Sequence, residues 1–447
     1  MPNELEPGTR RSGSLIDFNP DTPQVAVTLE HNDQGIDITI PWNDESSPYS
    51  LWFTSKNGIK QIPPPPDPPP FPRRAIFHDS HGSVLLLRLW TGQYHANLFG
   101  GPGAGHLHAR AAVMGVHEDI DFDHPHGLQS EISGLQSWLG ISSWQQKFTW
   151  SEKGTRTVEV RTELPPDAVI GEYDNCVLSF RSGWKLSPRD DQGRIVLHDL
   201  LYCVTESDVP LAWSAHEQPH RALRDLLVVS RWRNESCVVT KAQRRDDLVQ
   251  MPGDDAPDTV QWRDVVIPDG PANDLPSGHR PHLIEYADVG PEGLLRWLEL
   301  RDEFSRAIDP VITSIGLRGT TANTMLAHTG PGLEALGYLL ILRDTGSKKR
   351  ARESTLRQRF ERILEDLSDC MPFDTADWAE RTADTYNGIK HANRDEPDAL
   401  DVLNAWRECV LVVRAWIAIE LGVEAKLLKD RLLRDPQRHR YVSVFDD

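Results

Sequence analysis

Asn387, Lys390, His391 and Arg394 lie within eight positions of one another, in the segment TADTYNGIKHANRDEP. On a helix, residues i, i+3, i+4 and i+7 share a face, so this spacing would set an amide, an ammonium, an imidazole and a guanidinium side by side. The RDEP that follows stops a helix and leaves the group beside a loop. RNA carries its own nucleophile, the 2′-hydroxyl. Its attack on the adjacent phosphate leaves a 2′,3′-cyclic phosphate and a free 5′-hydroxyl. Histidine titrates near neutrality and suits the proton transfers of that step. Lys, Arg and Asn supply donors to a phosphorane that gains negative charge. The chemistry expected is therefore RNA cleavage without a metal. His391 would act as general acid or base, Lys390 and Arg394 would hold the phosphate, and Asn387 would orient it. A solvated helix end has the same composition, because the helix dipole favours cations there. Spacing alone leaves both readings open.

Other segments carry weaker signals. SKKRARESTLRQRFER, residues 347–362, holds seven Lys or Arg against two Glu. Its Lys348, Lys349, Arg350 and Arg352 could contact an RNA backbone by counterion release, or could form a solvated face. Arg407 and Arg414, seven apart on an apolar helix, would form a polar stripe facing a cleft or internal ion pairs; Arg407 is added to the RNA-binding set. Glu334 could orient His391 or Arg394, or form a structural ion pair. HLH (106–108) and DHPH (123–126) look like parts of metal sites, but no third ligand is evident, so neither a metal nor a cofactor is expected. GGPGAGH (100–106) lacks the Lys-Ser/Thr of a phosphate loop and reads as a turn.

The elements that must position these groups fall into two kinds. VAVTLEHNDQGIDITI (25–40) reads as a β-hairpin. Segments such as GSVLLLRLW, NCVLSFRSGWKL, RIVLHDLLYCVTE, LLVVSRWR and DTVQWRDVVI read as further strands, with one short helix near 132–140. The proline-rich stretch 60–74 reads as a polyproline spacer or loop. From about 290 the period becomes helical, with Ser347, Asp374 and Asp395 as expected caps and Gly422 as a terminator. The fold class expected is α+β multidomain. Residues 1–290 would form a β-rich sandwich or distorted barrel with a sensing or regulatory role, and 291–447 an all-α helical bundle.

Charge follows the same division. The chain of 447 residues carries a formal net charge of −19. Residues 291–447 hold 23 Lys+Arg against 27 Asp+Glu, leaving 25 against 40 in residues 1–290. An acidic N-terminal region argues against a general nucleic-acid surface there. Five cysteines without a CxxC pair read as reduced core thiols. With no apolar leader and no long uninterrupted apolar run, a cytoplasmic protein without membrane contact is expected.

Several stretches carry a family resemblance. EYADVGPEGLLRWLEL, TGPGLEALGYLLI and ADTYNGIKHANR, in that order, resemble the C-terminal HEPN domain (higher eukaryotes and prokaryotes nucleotide-binding) of ApeA-like antiphage proteins. SGSLIDFNP and HEDIDFDHPHGLQSEISGLQSWLG resemble their N-terminal domain. The resemblance implies a four- to six-helix bundle that pairs into a homodimer or higher homo-oligomer around a shared cleft. It implies metal-independent endoribonuclease activity on RNA, tRNA among the candidates, in abortive infection. The N-terminal domain would restrain or trigger cleavage in response to a phage-derived signal. His391 matches the histidine of the family's Arg-x(4–6)-His motif. The arginine is missing: Asp384, Thr385 and Tyr386 occupy its three permitted positions, and Arg381 lies ten residues upstream, about 15 Å along a helix. The alternative is a catalytically inactive HEPN-like dimerisation or ligand-binding module.

Overall fold

The computed structural model describes residues 3–443 except 21, 44–46, 55–70, 97–100, 151–153, 155, 250–257, 269–279, 318 and 368. Most of the proline-rich stretch therefore lies outside the described residues. The strands are β1 (Arg10–Ile16), β2 (Val25–Asn32), β3 (Gly35–Trp42), β4 (Arg74–Asp79), β5 (Gly82–Leu87), β6 (Trp90–His95), β7 (Gly103–Ala109), β8 (Ala111–Met114) and β9 (Gly127–Ile132). They continue with β10 (Trp144–Trp150), β11 (Arg156–Thr162), β12 (Ala168–Tyr173), β13 (Cys176–Leu186), β14 (Leu197–Glu206), β15 (Cys237–Val249) and β16 (Thr259–Val266). Fourteen of them form one sheet in the order β12-β13-β14-β9-β15-β16-β8-β5-β4-β1-β2-β3-β7-β6, and β10 pairs with β11 as a separate hairpin.

Alternation along the central strands explains how this sheet makes two cores. In β4, Ala75 and Phe77 enter one apolar cluster while Ile76 enters another. In β5, Val84 and Leu86 join the first and Leu85 and Leu87 the second. In β8, Ala112 and Met114 face Val113 in the same way. Side chains of a strand alternate between faces, so a continuous apolar run such as VLLL marks a strand covered on both sides. The first cluster is closed by β1–β3, β7 and the short helix α1 (Pro48–Thr54), the second by β9, β15 and β16. The expected hairpin of β2 and β3 forms, with Leu29 opposite Ile38. The short helix is α2 (Leu135–Leu139).

One expected strand is a helix. LLVVSRWR belongs mostly to α3 (Trp213–Arg231). The eight residues taken alone are too short to reveal a period. Read from Trp213, the buried positions 213, 216, 220, 223, 226, 227 and 230 recur every three or four residues.

The helical part comprises α4 (Tyr286–Glu303), α5 (Ser305–Ser314), α6 (Ala322–Thr345), α7 (Lys348–Glu353), α8 (Leu356–Glu365), α9 (Trp378–Lys390), α10 (Ala399–Glu420) and α11 (Ala425–Leu432). The segment 347–369, read as one helix, breaks where Thr355 caps α8 with a reciprocal Gln358 contact. Ser347 caps α7 as expected, whereas Asp377 rather than Asp374 stands at the start of α9 and Asp398 rather than Asp395 caps α10. α10 is buried along most of its length, from Val402 to Ala418. One apolar cluster runs from Leu178, Phe180 and α3 through Trp297, Phe304 and Trp416, so sheet and bundle share a core. No helix among the described residues is long and apolar enough to cross a membrane.

Candidate functional site at the end of helix α9

α9 anchors itself through Trp378, Ala379, Thr382, Ala383 and Tyr386, all buried against the bundle. The helix ends at Lys390. His391 is its C-cap, in extended conformation, with its N–H on the Asn387 carbonyl at 3.0 Å. The chain then turns, with the Arg394 N–H on the His391 carbonyl at 3.0 Å. The expected single helical face is therefore not what forms. Asn387 and Lys390 sit on the last helical turn, and His391 and Arg394 sit on the turn that leaves it. Gly388 makes this return possible: a Cβ there would stand 2.9 Å from Pro397 Cδ and 3.1 Å from the Asp395 carbonyl.

The side chains are placed as follows. His391 and Arg394 are exposed and Asn387 is half-buried. Lys390 Nζ reaches Glu334 at 3.5 Å and lies 5.4 Å from the Tyr386 ring centre. Arg394 approaches Asp384 at 3.8 Å. Glu334 does not touch His391; it pairs with Arg359 at 2.7 Å. Burial, then Glu334, pushes the Tyr386 phenol up to about 12, so it stays protonated and is no base near neutrality. Arg381, at the other end of the helix, holds the buried Glu408 at 3.1 Å. It is thus committed to the bundle interior rather than to His391.

Two family models match the chain. Residues 15–229 match ApeA N-terminal domain 1, and residues 341–427 match Apea-like HEPN. The chain is an ApeA-like protein. It belongs to a HEPN-type, nuclease-like antiphage family, with a β-rich N-terminal region and a helical HEPN region. No curated protein and no solved structure matches it. The segment bearing Asn387, Lys390, His391 and Arg394 lies inside the HEPN match.

The basic residues of this ApeA-like chain divide into two groups. Lys348, Lys349, Arg350 and Arg352 are exposed on α7. Lys349 and Arg350 line a cavity of about 580 Å³, but Asp344, Glu353, Glu361 and Glu365 line it too, so it is no purely cationic cradle. Arg407 must be withdrawn from the RNA-binding set. It is 1% exposed and donates to the carbonyls of Gln437 (2.5 Å) and Arg438 (2.9 Å), with Glu408 at 3.1 Å. Arg414 is likewise interior, held by Asp435 at 2.8 Å. The polar stripe of α10 faces the C-terminal segment and the end of α3, not a cleft.

That segment was missed in the sequence. Asn404 clasps the backbone of Tyr441 on both sides, donating to its carbonyl at 3.0 Å and accepting from its N–H at 2.8 Å. Arg434, Arg438, His439 and Arg440 are left exposed beside it. Arg438 Nε donates to His439 Nε2 at 2.9 Å. The available signal was spacing: four residues separate Arg434 from His439.

The histidine pairs raised as metal candidates do not converge. His106 meets Thr39 at 3.2 Å, His108 meets Asp37 at 2.5 Å, and His124 meets Asp121 at 2.8 Å.

Proposed function

We propose that the chain is a metal-independent endoribonuclease of antiphage defence. The HEPN region, taken as 291–447, would act as a homodimer or larger homo-oligomer, and residues 1–290 would restrain or trigger it in response to a phage-derived signal. His391 moves the proton of the 2′-hydroxyl or of the leaving 5′-oxygen. Lys390 and Arg394 stabilise the phosphorane, and Asn387 orients the scissile group. The observation that carries this reading is the exposure of His391 at the mouth of a helix end, with a cation on either side in sequence. A histidine packed inside the bundle could not reach an RNA strand. In one chain Lys390 and Arg394 also face carboxylates, so a second copy or the RNA itself must draw them to phosphate.

The test is incubation of purified protein with total RNA in EDTA, with end analysis for 2′,3′-cyclic phosphate. His391→Ala should abolish cleavage. Loss in His439→Ala instead would move the site to the Arg434–His439 segment. The commitment of Arg381 to Glu408 favours a second reading, an inactive dimerisation or ligand-binding module. It predicts intact oligomers and no cleavage even with a phage lysate added.

A further inference from the structure

The β10–β11 hairpin stands apart from the large sheet, and its two faces differ. Phe148 stands opposite Val158, Gln146 opposite Val160 and Trp150 opposite Arg156, whereas Lys147 stands opposite Glu159 and Thr149 opposite Thr157. Cross-strand partners share a face and successive residues alternate, so one face is largely apolar and the other polar. Both are wet. Phe148 is 47% exposed, Trp150 67%, Val158 51% and Val160 54%. A two-stranded hairpin is marginal in water unless such a face is packed on something. At its base the hairpin is tied to β14, where Asp199 accepts from the Ser142 hydroxyl at 2.7 Å and from the Ser143 N–H at 3.0 Å.

The exposure is not scattered. Among the described residues, eleven of the twenty large apolar side chains left in solvent fall between positions 148 and 196, a concentration that marks a surface made to be covered. Trp184 is one of them. It stands opposite Asp199 in the β13–β14 ladder, so apolar surface continues from the hairpin base onto the end of β13, with Leu186 beyond it. Charge points to what covers it. Residues 1–290 carry 25 Lys+Arg against 40 Asp+Glu, so two copies repel over most of this region. Residues 144–199 carry 8 against 9, a nearly neutral island. The two ends of the hairpin differ in sign. At the far end Arg156 lies over the Phe148 and Trp150 rings, 4.9 and 5.6 Å from their centres, with no carboxylate paired to it among the described residues. At the base Asp199 is held by serines, with no cation paired to it among the described residues.

We propose that the apolar face of the β10–β11 hairpin is covered by the same face of a second copy of this chain. A two-fold axis through the middle of the face lays one hairpin antiparallel on the other and brings each cationic far end toward the acidic base of its copy, so the surface is complementary to itself. The four exposed hairpin side chains, with Trp184 and Leu186, offer on the order of 600 Å² per copy, close to the roughly 800 Å² that each partner gives to a stable interface. The contact joins N-terminal regions and is separate from any pairing of the helical bundles. It does not depend on RNA cleavage.

The experiment is sedimentation velocity of the full chain over a micromolar concentration series. Reversible self-association is expected, weakened about tenfold or more in Phe148→Lys and in Trp150→Lys, with circular dichroism unchanged because both side chains are already exposed. Oxidative cross-linking with copper phenanthroline reads the geometry: Val158→Cys should join two chains through the apolar face, and Glu159→Cys, on the polar face, should not. A wild-type chain that stays monomeric overturns the proposal, even if the face captures a protein from a phage lysate instead. Association unchanged in both lysine variants overturns it too, by assigning the contact to another surface such as the bundle. So does cross-linking that is equal at positions 158 and 159.

Discussion

Arg414, in α10, donates from Nε to the carbonyl oxygen of Val229, in α3, at 2.7 Å. The two residues stand 185 apart in the chain, and the guanidinium is fully buried. Its other nitrogens meet Ser230, Gln437 and Asp435. A helix of the HEPN region thus satisfies carbonyls that the last turn of α3 leaves without helical partners. Replacing Arg414 with Met should leave Asp435 buried without its partner. The expected loss is about 3–5 kcal/mol, measured by denaturant unfolding of the whole chain.

Separating the two regions should fail for the same reason. A fragment of residues 291–447 loses α3 and uncovers Trp297 and Leu298, both buried in the full chain. It is expected to aggregate, and co-expression with residues 1–290 should restore solubility. Sedimentation of the fragment alone as a compact, soluble species would contradict this.

His391→Ala should be nearly silent in stability, within about 0.5 kcal/mol, because the ring is exposed. Thermal melts and RNA cleavage measured on the same preparation separate a catalytic loss from an unfolding one.

Gly388→Ala makes the opposite use of this turn. The added methyl would press on the Pro397 ring and the Asp395 carbonyl, and neither can rotate away. The turn bearing His391 and Arg394 must shift, at a cost of about 1–3 kcal/mol. Cleavage should fall further than melting temperature does, because the displaced groups are those proposed to act on RNA.

Acid should destabilise the N-terminal region through two rings. Burial lowers His216 to about 4 and His220 to about 3. In the unfolded chain both titrate near 6.5. From about pH 6.5 downward the unfolded state binds protons that the folded state refuses, so stability falls by up to about 1.4 kcal/mol per pH unit for each ring. The loss runs to about pH 4 for His216 and about pH 3 for His220. His216→Gln should flatten the slope between pH 7 and 5, read from urea midpoints.

The helical half was legible because long amphipathic periods survive in one sequence, although two of the three expected N-caps, Asp374 and Asp395, fell three residues before the observed Asp377 and Asp398. The β2–β3 hairpin was legible because alternation and a turn coincide. α3 was not: its polar start, WSAHEQPHRALRD, hides two histidines that are buried and hydrogen-bonded and an aspartate buried against Arg301, so composition pointed away from a core helix. The four residues Asn387, Lys390, His391 and Arg394 were proposed from type and order, and the helical face expected of them does not form, because a helix that ends at Lys390 leaves His391 and Arg394 on the turn beyond it and makes a corner of the face. Arg407 was misplaced because a charge on an apolar helix looks alike in sequence whether it meets solvent or backbone carbonyls. The carbonyls it meets lie 30 and 31 residues away.

The alternation in β4, β5 and β8 carries a consequence for how this chain tolerates change. Each of these strands supplies both clusters from neighbouring positions, so neither of its faces is spare. Inserting or deleting a single residue in the middle of β5 would swap the destinations of Val84, Leu85, Leu86 and Leu87, spoiling two interiors with one edit. A surface strand with one wet side would absorb the same edit by exposing a few apolar groups. Deletion scanning should therefore find its least forgiving stretch here, far from any residue proposed to touch RNA.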